Sequence, residues 1–290
     1  EDGRIYCPGV GDDTACLVCL LMAGKYIARH VDSPRWREIR GEDAPGLLLV
    51  CNAGEEGLGN LKGVRKICED YGGRIKSFCT FDSSLSSIVD RAVGSKRFRV
   101  KVRTRGGHSY NDFGNDNAIA GLASLVGKLY KIQVPEGGKT TYNVGMISGG
   151  TSVNTIAQEA GMLYEFRSDK RENLEYMERQ FMEVLDRAKA EGMDVSFQVI
   201  GVRPCEGQVD PAQKQALTDW AHRVVEEMTG QPPKHHAGST DCNIPLSLGI
   251  PSVCVGSFRG AGAHTREEYV ETDSLEEGYK VAFGMIFGSR

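Results

Sequence analysis

The sequence predicts an α/β fold that is interrupted by a smaller α+β domain. Up to about residue 92, helical patterns alternate with short, continuously apolar runs, which are typical of strands buried on both faces. From residue 98 the strands instead alternate apolar with charged side chains, and from about residue 204 the first pattern returns. We therefore expect residues 1–95 and 204–290 to form one domain, with residues 96–203 inserted into it.

The first segment contains the elements of an open sheet flanked by helices. In chain order we expect a helix over 14–29, a buried strand over 47–51, a helix over 59–70 and a strand within "RIKSFCTFD". After the insertion, "IPSVCVG" is the clearest strand. Ligands of open α/β sheets bind beyond the carboxyl ends of the strands, which is where Glu55, Glu56 and Asp82 fall.

The inserted segment opens with a strand of a different kind. In "FRVKVRTRG", apolar Phe98, Val100 and Val102 alternate with basic side chains, as in a strand with one exposed face. We then expect a helix bearing Ile119, Leu122, Leu125, Val126 and Leu129, strands near 140–147 and 160–167, a helix bearing Leu174, Met177, Phe181 and Leu185, and the strand "DVSFQVIG". The order β-α-β-β-α-β is that of a ferredoxin-like unit.

Composition excludes several classes of function. A net charge of −4 argues against nucleic-acid binding, and no apolar run reaches the roughly 18 residues that a membrane span needs. No signal peptide is visible, and most of the nine cysteines lie in apolar runs, so we expect reduced thiols in a cytoplasmic protein. Cys16-Leu-Val-Cys19 has redox or zinc-knuckle spacing, but its apolar neighbours favour a core helix.

Potential metal ligands are concentrated in four glycine-rich or turn-like stretches. These are "CPGVGDDTA" with Asp12 and Asp13, "AGEEGLG" with Glu55 and Glu56, "CTFDSS" with Asp82, and "GAGAHTREE" with His264. Each follows or interrupts an apolar stretch, so we expect Asp12, Glu56, Asp82 and His264 to converge around a metal-sized space. Zinc accepts carboxylates and imidazole, with manganese or cobalt as alternatives. Taken alone, any one of these stretches is as typical of a solvent-exposed surface as of a metal site.

Together these stretches resemble one family. "GVGDDTA", "NAGEEGLGN", "FD" and "AHTREEYV", in this order and across an inserted ferredoxin-like domain, are similar to the di-zinc exopeptidases and deacylases. That family includes peptidase T, carboxypeptidase G, aminoacylase and the acetylornithine and succinyl-diaminopimelate deacylases. The resemblance covers essentially the whole chain. It implies a zinc-exopeptidase-type mixed sheet sandwiched by helices, with the inserted unit as a dimerisation, or lid, domain.

The resemblance also implies a role for each ligand. Asp12 would bridge two zinc ions, for which Mn²⁺ or Co²⁺ are alternatives. Asp82 would bind the first ion, whereas Glu56 and His264 would bind the second. Glu55 would be the catalytic general base, which takes a proton from a metal-bound water of lowered pKa. The two adjacent carboxylates would thus have different functions, because one binds metal and the other moves protons.

One part of the family pattern is not matched. The family's first-metal histidine lies upstream of the bridging aspartate, in a His-x-Asp motif, and this sequence begins at the bridging motif. His30-Val31-Asp32 has the right letters but follows Asp12, at the end of a helix, where a surface turn is the better interpretation. We therefore expect the N-terminal portion that carries this motif to be absent from the sequence, which leaves the first metal site one ligand short.

The inserted domain carries residues that match substrate contacts of the family. His108 in "TRGGHSYND" would reach the active site of the partner subunit and stabilise the oxyanion, and Asn154 in "SGGTSVNTI" would touch the substrate. Arg167 in "YEFRSD" would pair with a substrate carboxylate. From the residues alone, an ordinary loop histidine remains open for His108, and a structural salt bridge remains open for Arg167.

A further stretch, "HHAGSTDCNIP", belongs to the last part of the chain. Gly238 and Thr240 fall in the part of it, Gly238 to Asp241, that matches a substrate-lining loop of the family. His235 and His236 look like a metal site but lie outside the matching motif, so we interpret them as exposed.

The resemblance predicts hydrolysis of a terminal peptide bond in short peptides by a zinc-dependent aminopeptidase or tripeptidase. Asp82 favours this interpretation, since the family's aminopeptidases and dipeptidases tend to carry Asp there, whereas carboxypeptidases and N-deacylases tend to carry Glu. An N-acyl amino acid deacylase is the alternative. A catalytically incomplete metal-binding dimerisation module is a third possibility.

We also expect a symmetric homodimer. The strand from Phe98 to Arg105 leaves one face to solvent or to a partner, and "LASLVGKLY" offers more apolar area than one small sheet requires. The inserted domains would pair edge strand with edge strand and helix with helix in a two-fold contact.

Overall fold

The computed structural model describes residues 2–34, 38 and 46–287. The chain divides into two compact units. One, here called the split unit, comprises Glu1–Ala92 and Gly207–Arg290, and the other, the inserted unit, comprises Val93–Glu206.

The regular elements follow in chain order. The helices are α1 (Cys16–His30), α2 (Lys62–Tyr71), α3 (Ala118–Leu129), α4 (Arg171–Ala190), α5 (Pro211–Thr229), α6 (Asn243–Ser247) and α7 (Ser274–Phe287). The strands are β1 (Arg4–Tyr6), β2 (Phe78–Phe81), β3 (Ser87–Ala92), β4 (Gly94–Arg103), β5 (Gly107–His108), β6 (Thr140–Gly149), β7 (Thr155–Ile156), β8 (Glu159–Ser168), β9 (Asp194–Arg203), β10 (Lys234–Gly238), β11 (Ser252–Val255), β12 (Gly260–Ala261) and β13 (Tyr269–Glu271). Short helical turns occupy Val10–Ala15, Gly57–Gly59 and Gly72–Arg74.

The centre of the split unit is a mixed sheet with the strand order β10-β3-β11-β2. Strand β10 is parallel to β3 and β11 is parallel to β2, whereas β11 and β3 are antiparallel. Val253 and Val255 of β11 pack with apolar residues of α1, α5 and α7, and the intervening Cys254 packs with Cys242 and Leu246 beside α6. Helices therefore cover both faces of the sheet, and the predicted α/β class is confirmed.

A second, three-stranded sheet in the split unit has the order β1-β13-β12. Strand β1 pairs antiparallel with β13, so that Arg4 lies opposite Glu271 and Tyr6 opposite Tyr269. The pairing continues beyond β1, since Cys7 donates its N–H to the carbonyl of Glu268. This small sheet brings the loop that carries Asp12 next to the residues that follow His264.

The buried strand predicted over residues 47–51 is wrong. This stretch belongs to no β-ladder among the described residues, and Leu47, Leu48 and Leu49 are 44%, 53% and 40% exposed. Strand β2 is the last strand of its sheet in the described chain, and 47–51 does not hydrogen-bond to it as a further strand. An apolar run becomes a strand only when a partner satisfies its backbone groups.

The predicted helix over 59–70 begins later, at Lys62. Asn60 and Leu61 both adopt left-handed backbone angles, with φ of 54° and 63°, which a continuous right-handed helix excludes. Residues 54–61 therefore form a tight loop in front of α2. The helix and strand predicted around 14–29 and within 74–82 are present as α1 and β2.

The inserted unit has the predicted ferredoxin-like arrangement. Its antiparallel sheet has the order β6-β8-β4-β9, and helices α3 and α4 connect the strands in the order β-α-β-β-α-β. Phe98, Val100 and Val102 of β4 face a buried core that also contains Tyr164 and Phe181. Because β4 pairs with both β8 and β9, the edges of this sheet are β6 and β9.

The cysteines are free, as predicted, but not all are buried, since Cys7 and Cys51 are exposed and Cys79 is partly exposed. All nine are free thiols, and Cys16, Cys19 and Cys254 are buried, whereas Cys51 is exposed. Cys51 differs because the stretch that ends at it is not a buried strand. None of the helices in the described ranges combines the length and apolar character needed to cross a membrane.

Candidate metal centre

Asp12, Glu56 and His264 meet at one point of the split unit. Each offers one ligand atom, and these atoms lie within 4.8 Å of one another. Nε2 of His264 lies 3.3 Å from Oδ2 of Asp12 and 3.9 Å from Oε1 of Glu56. The three residues come from the Val10–Ala15 turn, from the residue before the Gly57–Gly59 turn and from the loop between β12 and β13. Chain segments more than 200 positions apart thus supply one cluster.

The cluster lies in an open cavity of about 610 Å³. The cavity is lined by Pro8, Gly9, Asp12, Glu56, His264, Thr265, Arg266 and Glu268. The side chains of His264 and Glu56 are 66% and 60% exposed, whereas that of Asp12 is 19% exposed. A ligand that enters from solvent can therefore reach all three side chains.

Two carboxylates and one imidazole fit a catalytic divalent-metal site. Three protein ligands with a position left for water or substrate are the usual catalytic zinc arrangement. Burial raises the pKa of Asp12, the nearby Glu56 carboxylate raises it further, and His264 lowers it. A cation between these side chains would offset the repulsion between the two carboxylates.

Asp82 lies at the carboxyl end of β2, close to the cluster but outside the three-residue group. Its backbone N–H donates to the carbonyl of Val255 at 3.2 Å, and the Cys254 thiol donates to its carbonyl at 2.6 Å. Burial raises the pKa of Asp82 to about 6, and the charges of Asp12 and Glu56 contribute to the increase. The structure therefore places Asp82 within the electrostatic field of the cluster.

Asp13 follows Asp12 across a cis peptide bond and is exposed at its solvent-facing side. Protein atoms packed around its carboxyl desolvate the group and raise its pKa to about 8, a hydrogen bond from Cys16 lowers that pKa, and the charges of Asp82 and Asp12 raise it. Asp12, Asp13 and Asp82 therefore form a group of carboxylates whose charges repel one another.

Glu55 and Glu56 sit in a loop whose shape depends on its glycines. Gly54 has a φ of +82°, and a Cβ at Gly59 would lie 2.7 Å from the Gly54 carbonyl oxygen. The loop closes through hydrogen bonds from the Gly59 N–H to the Glu56 carbonyl and from the Lys62 N–H to the Gly54 carbonyl. It presents Glu56 to the metal cluster, while Glu55 is half-buried and is not one of the three clustered ligands.

Glu268 is a structural feature of the site that no sequence pattern indicates. Its carboxylate is 3% exposed and accepts the backbone N–H groups of Gly9, Gly11 and Asp12 at 2.6, 2.9 and 2.8 Å. Burial alone would raise the pKa of Glu268, but these three donors outweigh it, and the pKa is lowered. Glu268 belongs to "AHTREEYV", but the sequence of this motif does not distinguish the buried Glu268 from the exposed Glu267.

The loop that contains Gly238 and Thr240 is largely buried. Thr240 is 7% exposed, its N–H donates to Oδ1 of Asn243, and its Oγ1 accepts the N–H of Cys242. The adjacent Asp241 accepts a hydrogen bond of 2.7 Å from Nδ2 of Asn52. Gly238 ends β10, where a Cβ would lie 2.9 Å from the Val89 side chain. These contacts connect the loop to the segment before Glu55.

In the inserted unit, strands β5 and β7 bring His108 and Asn154 together. His108 pairs with Thr155, and the Ser109 N–H donates to the Asn154 carbonyl at 3.0 Å. Nδ1 of His108 accepts the N–H groups of Tyr110 and Asn111 at 3.3 and 3.4 Å. A neutral imidazole that accepts at Nδ1 carries its proton on Nε2, so the exposed His108 presents a donor to solvent.

Arg167 is paired within its own strand. Its Nε and Nη2 atoms donate to the two carboxylate oxygens of Glu165 at 2.8 and 3.2 Å, and Arg97 donates to the same carboxylate. Burial raises the pKa of Glu165, but the two guanidinium groups outweigh it and the pKa is lowered. The structural salt bridge left open by the sequence is therefore present, while the Arg167 side chain remains 38% exposed.

Comparisons with known proteins find hydrolases that are similar to this chain in sequence and in fold. Residues 92–193 match the sequence profile of the M20 peptidase dimerisation domain. The chain is 24% identical over 285 residues to acetylornithine deacetylase of Myxococcus xanthus, an alignment that covers 95% of this chain and 70% of that enzyme. Its fold is similar to that of the aminopeptidase PepT from Bacillus cereus, with a TM-score of 0.72 and 22% identity. A tripeptidase from Staphylococcus aureus gives a TM-score of 0.73 at 21% identity. Each structural comparison covers 99% of this chain and 74% of the other.

Proposed function

We propose that this chain, which belongs to the M20 family of hydrolases, is a metal-dependent exopeptidase that removes a terminal residue from short peptides. The observation that carries the proposal is the convergence of Asp12, Glu56 and His264 in a solvent-accessible cavity. The ligand atoms of these three side chains already lie within 4.8 Å of one another. Small side-chain movements would therefore be enough for all three to bind one metal ion.

These three side chains would hold one divalent cation, and Asp12 would also bridge to a second cation near Asp82. Zn²⁺ is the proposed metal, with Mn²⁺ or Co²⁺ as alternatives. When bound, such a cation supplies Lewis acidity, which lowers the pKa of a coordinated water and stabilises negative charge. Glu268 contributes by fixing the backbone of residues 9–12, so that the Asp12 carboxylate is held toward His264.

Glu55 is the proposed general base. It adjoins Glu56, a proposed metal ligand, in the same glycine-closed loop. The Glu55 carboxylate would accept a proton from the attacking water and return it to the leaving amine. Its half-buried position next to Glu56 in this loop supports the proposal.

His108 is proposed to act on the substrate carbonyl. Its Nδ1 accepts two backbone N–H groups, which leaves Nε2–H as a fixed donor for a developing oxyanion. By the family resemblance it would serve the active site of the partner subunit, and Asn154, held beside it by β5 and β7, would contact the substrate. Gly238, Thr240 and Arg167 are proposed to shape the substrate site.

This arrangement requires a homodimer, which we propose to form through the inserted unit. The unit matches the dimerisation domain of the family, and its edge strand β6 exposes Met146 and Ile147 by 65% and 60%. On α3, Ile119 is 44% exposed, and Tyr130 directly after the helix is 48% exposed. These side chains would give the proposed edge-strand and helix contact an apolar surface.

Deacylation of N-acyl amino acids is the second candidate function. It is favoured by the sequence similarity to acetylornithine deacetylase, whereas Asp82 and the structural similarity to peptidases favour peptide substrates. Both reactions hydrolyse an amide bond next to the same proposed ligands and base. The difference lies in the group that occupies the acyl side of the bond.

An assay of the zinc-loaded protein separates the candidates. We expect di- and tripeptides to be hydrolysed faster than N-acetyl amino acids, with free amino acids released from one end only. Faster turnover of N-acetyl substrates would establish the second candidate. Metal binding without hydrolysis of either class would show instead that the chain is a metal-binding dimerisation module.

A further inference from the structure

We propose that His222 and His235 form a second divalent-cation site on the split unit, of the kind that takes Zn²⁺, with Asp90 as the carboxylate behind it. His222 lies on α5, His235 on β10 and Asp90 on β3. None of the three belongs to the Asp12 cluster, and the proposal does not depend on the hydrolase function.

The two imidazoles face each other. Nδ1 of His222 lies 2.9 Å from Nε2 of His235, and the two ring planes are within 15° of parallel. A long helix and a paired strand carry these residues, so the backbone positions of both are fixed by regular structure. The side chains remain partly open to solvent, at 37% and 29% exposure, so a hydrated ion has access to the nitrogens.

Asp90 determines which nitrogen of His235 is available. Its Oδ2 lies 2.8 Å from Nδ1 of His235, and the Asp90 side chain is only 16% exposed. In the neutral imidazole the proton therefore resides on Nδ1, where it is donated to Asp90, and the lone pair of Nε2 points at His222. A carboxylate that accepts the outer N–H of a ligand histidine is the usual support for a metal-bound imidazole.

The hydrogen bond between the two rings can be exchanged for a cation without loss of a proton. At present the His222 Nδ1–H donates to the His235 lone pair. If the His222 proton moves to Nε2, it faces Oε2 of Glu226 at 3.7 Å, and Nδ1 becomes a second lone pair. Both histidines then stay neutral, which is the form that binds metal.

The spacing suits zinc after a small adjustment. Zinc–nitrogen bonds of about 2.0–2.1 Å at a tetrahedral angle separate the two nitrogens by about 3.3 Å. The observed separation is 2.9 Å, so the two nitrogens must part by about 0.4 Å and each ring must turn its lone pair from the other ring toward the ion, which side-chain rotation can provide. Water would complete the coordination, because two protein nitrogens supply half of a tetrahedral site.

Zinc titration of matched variants tests the proposal. Equilibrium dialysis against ZnCl₂ would be carried out on the wild-type protein, His222→Gln, His235→Gln and Asp90→Asn. His236→Gln is the control, since His236 is the neighbouring exposed histidine on the same strand. We expect wild type and the control to bind one zinc ion per chain more than either His222→Gln or His235→Gln. Asp90→Asn should keep that ion but bind it about 10- to 100-fold more weakly.

Equal zinc stoichiometry and affinity in wild type, His222→Gln and His235→Gln would overturn the proposal and leave a simple hydrogen-bonded pair. A second measurement needs no variant and so does not depend on their folding. In ¹⁵N-labelled wild-type protein, zinc should shift the ring-nitrogen resonances of both His222 and His235. Unchanged resonances at zinc concentrations that saturate the rest of the protein would also refute the site.

Discussion

The carboxylate of Glu268 holds the backbone of Asp12, whose N–H it accepts at 2.8 Å. The same side chain accepts the N–H groups of Gly9 and Gly11, so one buried residue satisfies three donors of a single loop. A Cβ at Gly11 would lie 2.7 Å from the Phe258 ring and 3.1 Å from Oε1 of Glu268, which shows how closely the loop packs. Glu268 therefore acts as a positioning residue for the proposed ligand Asp12.

Glu268→Gln should weaken both the loop and metal binding. The amide would replace one acceptor oxygen by an NH₂ group that faces backbone donors, and a buried unsatisfied donor costs about 1–3 kcal/mol. We expect a lower melting temperature and, in addition, a smaller zinc-induced rise in that temperature. Thermal unfolding with and without ZnCl₂ measures both effects.

Glu267→Gln is the matched control, because Glu267 is the exposed neighbour of Glu268. It should behave as wild type in both measurements. If Glu268→Gln lowers the melting temperature but leaves the zinc-induced rise intact, Glu268 stabilises the fold without positioning Asp12.

Glu55→Gln tests the proposed general base. The amide keeps the shape of the side chain but cannot accept a proton, so turnover should fall by about 10²–10⁴-fold while zinc content stays nearly unchanged. The assay compares kcat on a tripeptide with zinc per chain. Wild-type kcat at unchanged zinc content would eliminate Glu55 as the base.

Mixing two inactive variants, Glu55→Gln and His108→Ala, tests action of His108 across a dimer. If His108 serves its partner's active site, a mixed dimer contains one site with both residues intact, and part of the activity returns. Exchange of subunits would be verified independently with two differently tagged chains. Proven exchange without recovered activity would mean that His108 does not act in the partner's site.

The ion pairs of Glu165 predict part of the acid sensitivity of the protein. Arg167 and Arg97 lower the pKa of Glu165 despite its burial. A carboxyl whose pKa is lowered in the folded state adds stability above its unfolded pKa, about 4.3, and that stability is lost as pH falls through the folded pKa. Glu165→Gln should therefore destabilise the protein at pH 7 and have less effect at pH 3.

Urea unfolding at the two pH values measures this difference. Glu175→Gln is the control, since Glu175 is an exposed carboxylate on α4. An equal loss of stability from Glu165→Gln at both pH values would show that its ion pairs do not contribute to the acid sensitivity.

Local sequence patterns predict much of the fold and the three side chains of the cluster. The alternation around Phe98, Val100 and Val102 is sufficient to place one face of β4 in the core, because a strand exposes every second residue. The glycine-rich turns likewise single out Asp12, Glu56 and His264 as candidate ligands, although no sheet strand directly precedes Glu56 among the described residues. Both predictions depend only on residues close in sequence.

Features that depend on distant partners are not predictable in this way. The run at 47–51 has the composition of a buried strand, but its structure depends on whether another strand pairs with it. Glu268 and the exposed Glu267 are the same residue type in neighbouring positions. Glu268 has three backbone donors only because the fold packs residues 9–12 against it. For Arg167, the sequence does not decide between a substrate contact and a structural salt bridge. The structure shows that its guanidinium donates to both carboxylate oxygens of Glu165.

The location of bound zinc in a crystal tests the proposed metal centre. Crystals grown with ZnCl₂ would be measured at the zinc absorption edge, for the wild-type protein and for His264→Gln. We predict an anomalous peak in wild type about 2.0–2.2 Å from ligand atoms of Asp12, Glu56 and His264, and a weakened or absent peak there in the variant. A wild-type map in which zinc occupies other positions but leaves these three side chains without a peak would show that they do not form a metal centre.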